Sequence, residues 1–179
     1  MSALPPSAVP ASTGPGRARG VVFLYAVPRA LCPHVEWALT SLLDAEARLD
    51  WQPQPVAPPA MRAELAWEGR PGLGSRFASA LRAIPGLHVE VTEEPSPGRE
   101  GERYAMTPSL GLHRAIIGVH GDILVSEDRL RAAVAGAAAT GADLSDGIAY
   151  LLGTAWDTEL EPYRVATADT PVRVLHHVV

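Results

Sequence analysis

The chain has no lysine and no asparagine: all fifteen of its basic residues are arginine. A GC-rich coding genome accounts for both absences. The chemical consequence is that a lysine Schiff base and a lysine-bearing phosphate loop are excluded. Only one cysteine occurs, Cys32, so no internal disulfide can form, which fits a reducing cytoplasm. No apolar run approaches the roughly 20 residues of a membrane-crossing helix. The first nineteen residues lack the apolar stretch of a secretory signal, so a cytoplasmic location is expected. Arginines are dispersed and the net charge is −5, which argues against a nucleic-acid binder with a clustered basic face.

What remains is a 179-residue chain with 47% hydrophobic residues, enough for one sizeable core. Residues 1–19 are mostly Pro, Ala, Ser and Gly and are predicted to form a disordered tail, leaving 20–179 as a single α+β domain. Val21 to Ala26 is continuously apolar, as in a strand covered on both faces. A helix is predicted from Pro33 to about Ala47, with Val35, Leu39, Leu42 and Leu43 on one stripe. Leu49–Gln52 gives a short strand and Met61–Glu68 a strictly alternating one, wet on one face. Phe77, Ala80, Leu81 and Ile84 mark a second helix, with Ser75 as its predicted cap. Leu87–Thr92 alternates again. The order β-α-β-β-α-β over residues 20–95 predicts a ferredoxin-like unit.

Glu93–Glu102 reads as a polar loop. Leu112–Val119 and Asp122–Val125 then form a hairpin turning at His120-Gly121. Two C-terminal helices follow, opened by Ser126 and by Asp143, and Val172–Val179 suggests an edge strand. In the predicted unit the first and third strands are taken as adjacent and parallel, so the helices after them begin side by side. That would join Arg29, Cys32 and His34 to Arg70, Gly72, Gly74, Ser75 and Arg76 in one anion site. Helix N-termini present free N–H groups, and arginines grip phosphate or carboxylate in bidentate fashion.

Cys32 stands at a helix start, where a thiolate is favoured, so an enzyme using it as nucleophile is one alternative. A buried, inert thiol is the simpler reading. Cys32, His34 and Glu36 cannot all face one ion, and no other metal-ligand spacing occurs, so neither metal nor cofactor is expected. Trp37 lies about 200° round the helix from Val35, on a face shared with Ser41 and Asp44. The second half of the chain is expected to cover it; otherwise Trp37 and Ser41 form an interaction surface. Near the end, Asp157 and Glu161 share a helical face. A magnesium or acid–base pair is conceivable there, but a solvated acidic face is the simpler reading, with Trp156 and Leu160 inward and Pro162 ending the helix.

Cys32-Pro33-His34-Val35-Glu36-Trp37-Ala38-Leu39 and Leu152-Gly153-Thr154-Ala155-Trp156-Asp157, with Leu160-Glu161-Pro162-Tyr163-Arg164, form long specific motifs. Together with Val91-Thr92-Glu93-Glu94-Pro95-Ser96-Pro97-Gly98 and Thr107-Pro108-Ser109-Leu110-Gly111-Leu112 they resemble an uncharacterised actinobacterial family, domain of unknown function 3145. The resemblance implies no catalytic residue. It implies an accessory role beside type II fatty-acid synthesis. The functional expectation is a non-catalytic binding or regulatory protein for an anionic small molecule or an acidic protein partner.

Overall fold

The computed structural model describes residues 16–43 and 46–166. Strand β1 (Ala18–Val27) leads through a single 3-10 turn (Arg29–Leu31) into α1 (Cys32–Thr40). Then come β2 (Gln52–Pro53), β3 (Met61–Gly69), α2 (Leu73–Arg82) and β4 (His88–Glu93). The second half supplies β5 (Gly101–Thr107), β6 (Gly111–Ile117), β7 (Ile123–Leu124), α3 (Glu127–Thr140), α4 (Leu144–Leu152) and α5 (Thr154–Val165). The fold is α+β, with one seven-stranded sheet in the order β2-β3-β1-β4-β5-β6-β7 and every neighbouring pair antiparallel.

The period of two decides which side chains meet which layer. Val22 and Leu24 of β1, opposite Val91 and Val89 of β4, point to the face covered by α1 and α2. There they join Val35, Leu39, Phe77 and Leu81, all fully buried, in the main core. Burying one such side chain contributes about 1.5–3 kcal/mol. Val21, Phe23 and Tyr25 point the other way and are only half-buried. The apolar run of β1 is therefore covered fully on one face and partly on the other. On that second face Ala105, Trp156 and Leu160 form a smaller cluster, against which Tyr25 packs.

Several expectations need correction. β1 begins at Ala18, which is 2% exposed, so the strand takes in the last two residues of the stretch assigned to the tail. α1 ends at Thr40 rather than near Ala47. The α2 cap is Gly72, at φ 88°, where a left-handed backbone favours glycine; Ser75 lies inside the helix and its hydroxyl donates to the Gly72 carbonyl. β5 begins inside the predicted polar loop, because its charged residues all find partners: Glu102 accepts from Arg114 and Arg103 donates to Glu90. Pro162 sits inside α5, three residues before its end. Asp143 caps α4 as expected, its carboxylate accepting from the Ser145 amide. The edge strand at Val172–Val179 lies outside the described residues.

Candidate functional site

The two predicted helix starts do not converge. β1 and β3 pair antiparallel, with Val27 opposite Met61 and Ala18 opposite Gly69. The chain therefore enters α1 at one end of the sheet and α2 at the other, about 30 Å apart along a ten-residue strand. A parallel pairing was the faulty premise. Arg29 and His34 are exposed at the first end, and Arg70 and Arg76 at the second. Two amides at the start of α2 are also already taken. Buried Glu93 accepts from Gly72 N at 2.8 Å and from Gly74 N at 2.9 Å. A side chain at Gly74 would place its Cβ 3.0 Å from that of Glu93, so glycine there permits the approach. The sequence correctly marks an anion-binding helix end, but the anion is internal.

Cys32 is buried, with its Sγ 3.9 Å from the Pro28 carbonyl. Burial, joined by the Glu36 carboxylate, pushes the thiol above its ordinary pKa, although the backbone and Arg29 oppose that. This is the reverse of an activated nucleophile. Trp37 is 75% exposed, so the expectation that the second half covers it is not met. The C-terminal helix that packs on β1 and β5, α5, lies on the opposite face. Ser41 uses its hydroxyl on the Ala38 carbonyl, and Asp44 lies outside the described residues.

A concavity lies on that opposite face. A cleft of about 580 Å³ runs between β1, β3 and the end of α5, lined by Phe23, Tyr25, Asp50, Gln52, Arg62, Glu64, Tyr163 and Arg164 among others. A bulge sets its floor: the register of β1 slips after Leu24 against both neighbours, leaving Tyr25 without a cross-strand partner. Bulges re-aim side chains in this way. Buried Gln54 holds the bulge by donating to the Tyr25 carbonyl at 2.7 Å. The Phe23 and Tyr25 rings then stack, with centroids 5.8 Å apart and planes within 4°. Arg62 stands on the β3 wall and donates through Nη1 to the Ala166 carbonyl.

One end of the cleft is closed by an ion-pair network. Glu90 accepts from Arg103 Nε and Arg164 Nη2, each at 2.7 Å. Asp157 accepts from Arg164 at 2.8 Å and from Arg103 as well. Tyr25 Oη donates to Glu90 at 3.3 Å. Burial alone would raise both carboxyl pKa values, but the two guanidinium groups outweigh it and hold Glu90 and Asp157 below the usual carboxylate range. Burial, reinforced by Glu90, pushes the Tyr25 phenol well above its ordinary value. Asp157 is thus held by Arg103 and Arg164 while its side chain stays 37% exposed, rather than standing as a free acid beside Glu161. Trp156 and Leu160 do point inward as expected.

A second cluster brings together Ser109, Thr107, Glu159 and His88. The carboxylate is at its centre, accepting from both hydroxyls, with His88 Nε2 3.5 Å from Glu159 Oε1. A nucleophile relay needs the imidazole between the hydroxyl and the acid, and here it is not. Burial holds His88 below its ordinary pKa despite Glu159. Among the described residues, no three His, Cys, Asp or Glu side chains are grouped to hold a metal ion. No described helix is long and apolar enough to cross a membrane.

None of the predicted site residues lines the cleft. Its own residues left traces in the sequence: Tyr25 is the one polar-tipped residue in the β1 apolar run, and Arg62 and Glu64 mark the wet face of β3. What was missing was the return of α5 across the sheet.

The fold and cleft define an α+β protein whose antiparallel sheet carries a helix layer on one face and an ion-paired, aromatic-floored cleft on the other. The chain belongs to the family described as Protein of unknown function (DUF3145), whose model matches residues 21–177. No curated protein and no solved structure matches it.

Proposed function

We propose that this is a non-catalytic binding protein whose ligand is a small molecule with a flat or flexible apolar body and one anionic group, held in the cleft. The observation that carries the reading is the stacked Phe23–Tyr25 floor beside Arg62. Apolar surface with one or two charged groups is the usual make-up of a small-molecule site. Arg164 also lines the cleft, but its charge is met by Glu90 and Asp157, so among the described residues that line the cleft Arg62 is the cation offered to a ligand. An accessory role in fatty-acid synthesis fits such a site, since an acyl-coenzyme A joins an apolar chain to phosphates. A reducing cytoplasm suits the lone thiol. The strand order β2-β3-β1-β4 is the one a ferredoxin-like unit would have, but the antiparallel β1–β3 pairing departs from that arrangement.

The test is a fluorescence titration with 8-anilinonaphthalene-1-sulfonate, an aromatic body carrying one sulfonate, and a competition with a short acyl-coenzyme A. Saturable one-site binding is expected. Phe23→Ala should weaken it about tenfold, the worth of one aromatic contact. Arg62→Gln should weaken it about ten- to hundredfold, the range for a charge-assisted hydrogen bond. Binding that is absent, or indifferent to both substitutions, overturns the proposal. Displacement by the acyl-coenzyme A sharpens the ligand class.

A further inference from the structure

On the cleft reading proposed above, on which this rests, we infer that the ligand is a zwitterion, its apolar body carrying an ammonium group beside the anionic one. Three strands lay the cleft floor out in rows. Phe23 of β1 stands opposite Glu64 of β3, and Arg62 of β3 stands opposite Gln52 of β2. Followed back by two residues, the antiparallel β2 register brings Asp50 across from Glu64, and both carboxylates line the cleft. One row therefore holds Phe23, Glu64 and Asp50, and the next holds Arg62 and Gln52. Arg62 and Glu64 are two apart on one strand, so they share a face with their Cα atoms about 7 Å apart.

The charges in these rows do not cancel. Arg62 gives its Nη1 to the Ala166 carbonyl rather than to Glu64. Among the described residues neither Glu64 nor Asp50 forms an ion pair, and Asp50 accepts only from the Gln52 amide, at 3.4 Å. The other arginines nearby are engaged: Arg48 with Glu46, and Arg164 with Glu90 and Asp157. Glu90, which flanks Phe23 on its β4 side, is met by Arg103 and Arg164. Like charges placed opposite each other on a sheet are destabilising, so Glu64 and Asp50 favour a cation between them. An anionic group alone would answer Arg62 and leave both carboxylates unanswered.

The aromatic floor decides where that cation sits. The Arg164 guanidinium carbon lies 6.0 Å from the centre of the Tyr25 ring, so Tyr25 already faces a cation. Phe23 lies beside it in nearly the same plane orientation, and among the described residues no cation stands over its ring. An ammonium group over Phe23 meets the ring and the carboxylates of Glu64 and Asp50 together. The anionic group, a few bonds away, then reaches Arg62 and the Gln52 amide in the next row. The apolar body is left to fill the rest of the cleft, against Tyr163. Such a ligand answers every unmatched charge of the floor at once, which neither a simple anion nor a simple amine can do.

Isothermal titration calorimetry of the full chain with three probes that share a naphthyl body tests this. Naphthylpropionate carries only the anionic group, naphthylethylamine only the ammonium, and naphthylalanine both. Naphthylalanine is expected to bind about tenfold tighter than naphthylpropionate, the worth of an exposed ion pair joined to a cation–π contact. Glu64→Gln should erase that advantage, weakening naphthylalanine and tightening naphthylpropionate, and Asp50→Asn should reduce it in part. Both side chains are exposed, so the two variants should melt with the unsubstituted chain. Naphthylpropionate bound as tightly as naphthylalanine overturns the zwitterion and leaves the anionic reading of the cleft standing. So does an advantage that survives Glu64→Gln and Asp50→Asn combined. If none of the three probes binds, the cleft reading falls and the zwitterion falls with it.

Discussion

The two faces of the sheet are held by different physics. On the α1–α2 face, Val22, Leu24, Phe77, Leu81, Val89 and Val91 interlock with almost no water and no charge among them. On the α5 face a smaller apolar cluster shares the space with Glu90, Arg103, Asp157 and Arg164. The first face gains its stability from transfer of apolar area, which involves no group that titrates. The second gains little net energy from its charges, because desolvation offsets most of the attraction between them. What the network supplies is geometry: two carboxylates and two guanidinium groups fit together in one arrangement, which fixes α5 over β1, β4 and β5. The cleft opens where α5 ends, so the face with the looser apolar packing is the one with room for a ligand.

The comparison predicts a ranking of substitutions. Phe77→Ala should cost most, about 3–5 kcal/mol by chemical denaturation, because it opens a cavity in the dry face. A cost below 2 kcal/mol would show that the helix layer can collapse into the space. Glu90→Gln should cost about 2–3 kcal/mol, since it leaves two partly buried guanidinium groups sharing one carboxylate. Glu90→Gln combined with Arg103→Met should recover part of that loss, because an apolar replacement removes one of the stranded charges. A double mutant no better than the single would mean that the network acts through energy rather than geometry.

The same contrast should appear in pH dependence. Glu90 and Asp157 have folded pKa values below their unfolded ones. Their contribution is therefore complete above the unfolded carboxylate values near 4 and is lost as pH falls through the lower folded values. Burial also holds His88 and His113 below the usual histidine value. The fold binds them neutral, so their contribution is complete above about pH 6.5 and declines as pH falls from there. Stability should thus fall in two acid stages, one starting near pH 6.5 and one below pH 4. Glu90→Gln should flatten the second stage and leave the first unchanged. A single stage would show that the histidines do not titrate with folding.

The helix face was legible because its signal is local. Phe77 and Leu81 are four apart, Val89 and Val91 two apart, and each spacing names both the element and the side that is buried. The α5 face was not, because its meaning depends on pairings far apart in the chain. Asp157 reads as a solvated acid until Arg103, 54 residues away, is brought beside it. Glu93 likewise fills an α2 N-terminus that, read alone, invites an external anion. β5 escaped notice for the same reason: Glu102 and Arg103 look like loop residues when their partners are not in view. The bulge at Tyr25, which shapes the cleft, leaves no mark beyond one polar-tipped residue in an apolar run.

The smallest expected effect belongs to Trp37. Its neighbours Val35 and Leu39 hang α1 on the dry face with no exposure, whereas Trp37 points away from that face and into solvent. A tryptophan in a core costs about 3–5 kcal/mol to truncate, because transfer energy and cavity energy are both lost. An exposed one has little of either to lose, and surface substitutions usually stay within about 0.5 kcal/mol. Trp37→Ala should therefore leave the denaturation midpoint almost unmoved while removing a solvent-quenchable fraction of the tryptophan fluorescence. A loss of several kcal/mol would break the comparison, since it would show that the helix layer is covered on its outer side as well as its inner one. The expected small loss would leave α1 a helix with one working face toward the sheet and one large aromatic presented outward.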